Sequence, residues 1–152
     1  MDKIDAIDSA VKAFQARNHE FNIFMNGAAQ WFEQHPVLNA RPLPTIHSVK
    51  SRLKDSDHLR SKLHRKWDET NPIDADNVFC RITDLAGVRV LHLYQEQFSS
   101  IHSEIRAKVE TLKDWYLPAP PKAYTWDPES RQFFENLGLS VEVKETFYLN
   151  PA

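Results

Sequence analysis

Cysteine is all but missing from this sequence, where Cys80 stands alone. A single thiol excludes a disulfide framework and a cysteine metal site, and it fits a reducing compartment. Glycine is nearly as scarce, with 3 in the chain. They form no Gly-x-Gly-x-x-Gly run and no Walker-type loop, so side chains would have to hold the phosphates of any nucleotide. No apolar run nears the ~20 residues that a membrane span needs. The opening Met1-Asp2-Lys3-Ile4-Asp5 is acidic and has no signal-peptide core, so the expected location is cytoplasmic. Neither sign of charge dominates. With a formal net charge of −2, a nucleic-acid role would need a local basic patch, not a global field. His58, His64, His92 and His102 do not fall at metal-ligand spacing, and no serine–histidine–acid pattern suggests hydrolysis. Cys80 has no activating neighbour and reads as a small core residue.

What is present is ordinary for a globular protein, with 41% hydrophobic and 26% charged residues. The length suits one domain with a real core. Residues 4–34 place Ile4, Ile7, Val11, Phe14, Phe21, Met25, Ala28 and Phe32 at spacings that make an amphipathic helix. Asn18 marks a bend or a break into a helix pair. The stripe would cover a core or serve as a dimer surface in a homo-oligomer. Pro36 ends it, and a proline-bearing connector runs to Pro44. The expected division is therefore 1–44, helical region and connector, and 45–152, a sheet domain.

Within the second part, Thr45–Lys54 reads as a strand with Ile46, Ser48 and Lys50 on one face. Asp55 or Ser56 caps a helix to about Trp67, with Leu59, Leu63 and Trp67 inward and His58, Lys62 and Arg65 on another face. Thr70–Asn77 is a loop. Val88–Leu93 is nearly all apolar and predicts a central strand. Gln95–Lys113 predicts a helix with Phe98, Ile101, Ile105, Val109 and Leu112 inward, followed by an aromatic loop from Trp115 to Trp126. Those aromatics would anchor the loop or stack on bases. Asp127-Pro128-Glu129 starts a helix that ends near Gly138, and Leu139–Leu149 alternates as a half-exposed strand. The order of elements implies an α/β or α+β sheet domain, and α+β is the expected class.

Phosphoryl and pyrophosphoryl transfer needs a divalent ion, cations on the phosphate oxygens and in-line placement of the acceptor. Asp84 can offer a hard oxygen ligand to magnesium. Arg52, Lys54 and Lys62 can neutralise a triphosphate, and Arg89 can stack on a base. Each residue also has a plain reading. Asp84 would be a turn residue and the lysines a solvated face. Arg89, inside an apolar strand, would need a carboxylate such as Asp84.

The pattern Arg52-x-Lys54, then Lys62, then Asp84-Leu85-x-Gly87-x-Arg89 leading into a strand resembles the RelA/SpoT-type alarmone synthetase family, in its small single-domain branch. The wording Ser48-Val49-Lys50-Ser51-Arg52-Leu53-Lys54 strengthens the likeness. The resemblance implies a nucleotidyltransferase-like mixed β-sheet flanked by helices. It implies a GTP pyrophosphokinase that moves the β,γ-pyrophosphate of ATP to the 3′-hydroxyl of GDP or GTP. Carried over residue by residue, Arg52 and Arg89 sandwich adenine, Lys54 and Lys62 contact the ATP phosphates, and Asp84 binds Mg2+. His58 stands where the family often has serine.

The likeness covers about Thr45 to Leu149. The family's later Gly-Tyr-x-Ser-x-His segment and its later glutamate-bearing strand have no counterpart here, and the histidine–aspartate hydrolase motif is absent too. The expectation is an incomplete domain holding the donor half of the enzyme. Two other readings stay open, a nucleotide- or RNA-binding module without turnover and a pyrophosphokinase for another acceptor such as tRNA or an adenine nucleotide. The isolated chain is expected to pass no labelled phosphate from ATP to GDP, and a labelled product on thin-layer chromatography would overturn this.

Overall fold

The fold is that of a computed structural model describing residues 2–144, and it is mixed α+β. The chain divides into two compact units, residues 1–93 and 94–152.

The first unit is built on helix α1, Lys3–Gln34, a continuous run of 32 residues. Asp2 caps it by accepting from the Asp5 amide. The helix runs through Asn18 without a break and turns it to a half-exposed position. One stripe of α1, including Ile7, Ala10, Val11, Phe14 and Phe32, is buried, whereas Ile4 stays exposed.

Strand β1 spans Ser48–Leu53, starting later than the expected Thr45. Before it, the Thr45 and Ile46 amides both donate to the Leu38 carbonyl, which holds Ile46 buried outside the strand. Helix α2, Ser56–Arg65, follows at once, capped by Asp55. A short helix α3, Val78–Arg81, then precedes strand β2, Ala86–Leu91.

Strands β1 and β2 are antiparallel, with Lys50 opposite Arg89, Ser51 opposite Val88 and Arg52 opposite Gly87. Side chains alternate between faces along a strand, so this register sorts them. Val49, Leu53, Val88 and Val90 share one face, and α1 packs against both strands. Ser48, Lys50, Arg52, Gly87, Arg89 and Leu91 share the other, on which all but Ser48 are exposed. The expectation of a central strand over Val88–Leu93 is therefore corrected. Among the described residues β2 has one neighbour, and its burial alternates.

The core of this unit joins Ile7, Val11 and Phe14 of α1 to Leu59 and Leu63 of α2 and to Val78, Ile82 and Leu85. Phe21 extends it by stacking on Phe79, ring centroids 5.6 Å apart. Cys80, read from sequence as a core residue, is exposed on α3.

In the second unit α4 spans Gln97–Arg106 and widens into a π-type turn over Ala107–Thr111. Just past that turn Lys113 takes a left-handed φ of 56°, and Leu112 is turned out to solvent rather than inward. Strand β3, Lys122–Thr125, occupies part of the stretch expected to be all loop. Of its aromatics Trp115 is half-buried, while Tyr116, Tyr124 and Trp126 are exposed, with the Lys122 and Lys144 ammoniums over the Tyr124 ring. Asp127 caps a single turn at Pro128–Ser130 that leads into α5, Arg131–Asn136. Gly138, at φ 85°, turns the chain into β4, Ser140–Val143, which pairs parallel to β3. The remainder of the expected last strand, to Leu149, lies outside the described residues.

Leu59 is fully buried, so Leu59→Ala is expected to lower stability by about 2–5 kcal/mol in urea denaturation. Leu112→Ala, at an exposed position, is expected to stay within about 0.5 kcal/mol.

Candidate functional site

Three of the residues singled out in the sequence meet at one end of the β1–β2 pair. Lys54 directly follows β1, and its amide donates to the Leu85 carbonyl, extending the strand pairing by one step. This brings Lys54 beside Asp84, two residues ahead of β2. Lys62 reaches the same point from α2. Lys54 Nζ lies 3.0 Å from Asp84 Oδ2, and Lys62 Nζ lies 2.8 Å from Asp84 Oδ1. Both carboxylate oxygens thus accept from a different ammonium.

The electrostatics are lopsided. The Lys54 side chain is 6% exposed and that of Asp84 is 50% exposed. Partial burial pushes the Asp84 carboxyl up, but hydrogen bonds from Lys62 and then Lys54, with their charges, outweigh it and hold it at about 2. Asp84 is therefore ionised at neutral pH. Two ammoniums around one carboxylate leave a local net positive charge.

Arg52 and Arg89 stand on the exposed face of the same strand pair. Arg52 faces Gly87 across the ladder, and Arg89 lies two residues further along β2. They are diagonal neighbours on one face, for which the separation is roughly 7–8 Å and somewhat less at Cβ. A planar ring stacked on both sides needs about 3.5–4.0 Å to each guanidinium plane. Two long side chains rooted at this spacing can adjust to that gap. Neither guanidinium has a hydrogen bond or ion pair among the described residues. Arg89 does not use Asp84, whose oxygens are taken by the lysines. An arginine pairing that would have explained Arg89 structurally is thus not made.

Other residues fall away from this cluster. His58 is exposed and sits 4.0 Å from Asp55, at the other end of α2 from Lys62. Arg65 is exposed. Arg60, which sequence reasoning passed over, forms an ion pair with Asp8 and so ties α2 to α1. Lys50 was also passed over as a site residue. It lies opposite Arg89 and shares a face with Arg52, and its place two residues before Arg52 was the available signal. Like charges directly across a ladder repel, so this face favours an anion over it.

No group of three or more histidine, cysteine or acidic side chains capable of holding a metal occurs among the described residues. Asp84 is a single hard-oxygen ligand. Such a donor suits magnesium arriving with phosphate oxygens and does not suit a cage made by protein alone. In the second unit a cavity of about 420 Å³ is lined mainly by apolar side chains including Phe98, Ile105 and Leu139, and none of the predicted site residues contributes to it. No helix among the described residues is long and apolar enough to cross a membrane. No protein-family model, no curated protein and no solved structure matches the chain.

A carboxyl held at about 2, below its ordinary 3.8, adds stability that is complete above the ordinary value and lost as pH falls through the lower one. Asp84→Asn is expected to abolish that part of the acid-side slope between these two pH values in denaturation followed against pH. It is also expected to destabilise the protein at neutral pH, since it leaves the Lys54 ammonium buried without its carboxylate.

Proposed function

We propose that this chain carries the ATP-donor site of a GTP pyrophosphokinase of the RelA/SpoT type, on a nucleotidyltransferase-like fold. The observation that carries the reading is the joint placement of five residues. Two arginines without a hydrogen bond or ion pair among the described residues stand as diagonal neighbours on one sheet face, and two lysines and an aspartate lie at the end of the same strands.

In this reading adenine slots between Arg52 and Arg89, held by cation–π and planar stacking, which is worth about 0.5–2 kcal/mol per contact. The triphosphate runs along the strands toward Lys54 and Lys62. As it arrives the ammoniums exchange one Asp84 oxygen each for phosphate oxygens, and Asp84 is freed. Asp84 would then hold a magnesium ion, which neutralises charge on the β- and γ-phosphate oxygens. Until that exchange the net positive charge of the cluster opposes capture of a bare dication. The lysines thus act as placeholders that keep the carboxylate ionised and oriented.

The transfer moves the β,γ-pyrophosphate. The 3′-hydroxyl of GDP or GTP gives up its proton as its oxygen bonds to the β-phosphorus, the bond from that phosphorus to the α–β bridging oxygen breaks, and AMP leaves. The residues of this chain position and neutralise the donor. GDP, GTP or another acceptor is bound elsewhere. An RNA-binding module would use the same cations but would give Asp84 no part. The salt slope and the Asp84 dependence separate the two readings.

Calorimetry tests the donor site without requiring turnover. Mg·ATP is expected to bind, and Arg52→Ala and Arg89→Ala are each expected to weaken it about tenfold, the loss of roughly 1.4 kcal/mol per stacking plane. Mg2+ alone is expected to give no binding heat. Unchanged Mg·ATP affinity in both arginine variants would sink the reading.

A further inference from the structure

The cationic face of the first unit has four consecutive corners, and one of them is bare. Lys50 and Arg52 occupy β1, Arg89 occupies β2, and the fourth corner is Gly87. Glycine weakens a strand interior, because it costs more backbone freedom and offers no side chain to pack. Two structural reasons could still call for it, and neither holds. Its φ is not left-handed, unlike that of Gly138. A Cβ built on Gly87 would meet nothing within 4 Å, so no neighbouring atom needs the room.

The vacancy is bounded by the site residues. Arg52 stands directly across the ladder, Arg89 stands two residues along the same strand, and Asp84 lies three residues back toward the lysines. We propose that Gly87 is the floor of the nucleotide slot, a position where the absence of a side chain lets the edge of a planar purine come down close to the β2 backbone between the two guanidiniums. The inference rests on the reading that Arg52 and Arg89 clasp the base. It goes further by assigning a specificity-determining role to a residue that carries no functional group. A methyl at this corner would project along the normal of the sheet, into the gap between the two arginines, and lift the ring out of register with both. A flexible anion without a ring would not need the floor at all. Gly87 therefore selects for the planar base, while Lys54 and Lys62 act on the phosphates.

The test uses the full chain with Gly87→Ala and Gly87→Val, thermal denaturation, and calorimetric titration with Mg·ATP and with inorganic tripolyphosphate. The expected result is a melting temperature equal to or above that of the parent, Mg·ATP binding weakened at least tenfold by alanine and more by valine, and tripolyphosphate binding unchanged. Parent-like Mg·ATP binding in Gly87→Ala, alongside its loss in Arg52→Ala, would overturn the floor and leave the donor site standing. Equal loss of Mg·ATP and tripolyphosphate, or a marked drop in melting temperature, would also overturn it, by making the glycine an electrostatic or structural requirement. If the parent chain binds tripolyphosphate but not Mg·ATP, the donor-site reading falls and the floor falls with it.

Discussion

The bridge from Lys54 through Asp84 to Lys62 is the constraint on which the candidate site depends. It joins three segments that are remote in sequence: the end of β1, the N-terminal part of the approach to β2, and the last turn of α2. Each ammonium has one carboxylate oxygen, so neither competes with the other. Lys54 is almost wholly buried, and a buried ammonium without a partner is costly. The bridge is thus structural in the free protein and chemical in the reading given above. The same three charges serve both roles because phosphate can replace carboxylate as the partner of a lysine without leaving any cation bare.

Two surfaces of one short strand pair have been given opposite tasks. The face with Val49, Leu53, Val88 and Val90 lies on the side that α1 backs, while the opposite face is open and cationic. A two-stranded ribbon is marginal by itself. Here α1, with Ile7, Val11 and Phe14 buried, supplies the layer that makes it stable. That leaves the outer face free of packing duties, which is why arginines and a glycine can sit there.

Much of this could be read from residue order, and the parts that could not have identifiable causes. The stripe of α1 and the capping of α2 by Asp55 are local patterns, and both elements form where periodicity and capping put them. The burial of β2 was misjudged because Val88, Val90 and Leu91 look alike in composition. Only the pairing with β1 reveals that Leu91 and Arg89 face outward. Strand β3 was hidden in a proline-rich aromatic stretch, where Lys122–Thr125 is too short to show a period. Among the site residues, the charged motif could be picked out by residue type. That Lys54 and Lys62 divide the two oxygens of Asp84, leaving none for Arg89, depends on side-chain reach across three elements, and no spacing rule carries it. Lys50 went unweighed because its significance lies in the residue across the ladder rather than along the chain.

The ion pair between Asp8 and Arg60 fastens the first helix to the helix that carries Lys62. Arg60 lies on α2 just ahead of Lys62, and Asp8 lies in the opening turns of α1. The N-terminal helix is therefore more than a backing layer for the strands: through Arg60, and through its apolar contacts with Leu59 and Leu63, it also seats the helix from which Lys62 reaches its carboxylate.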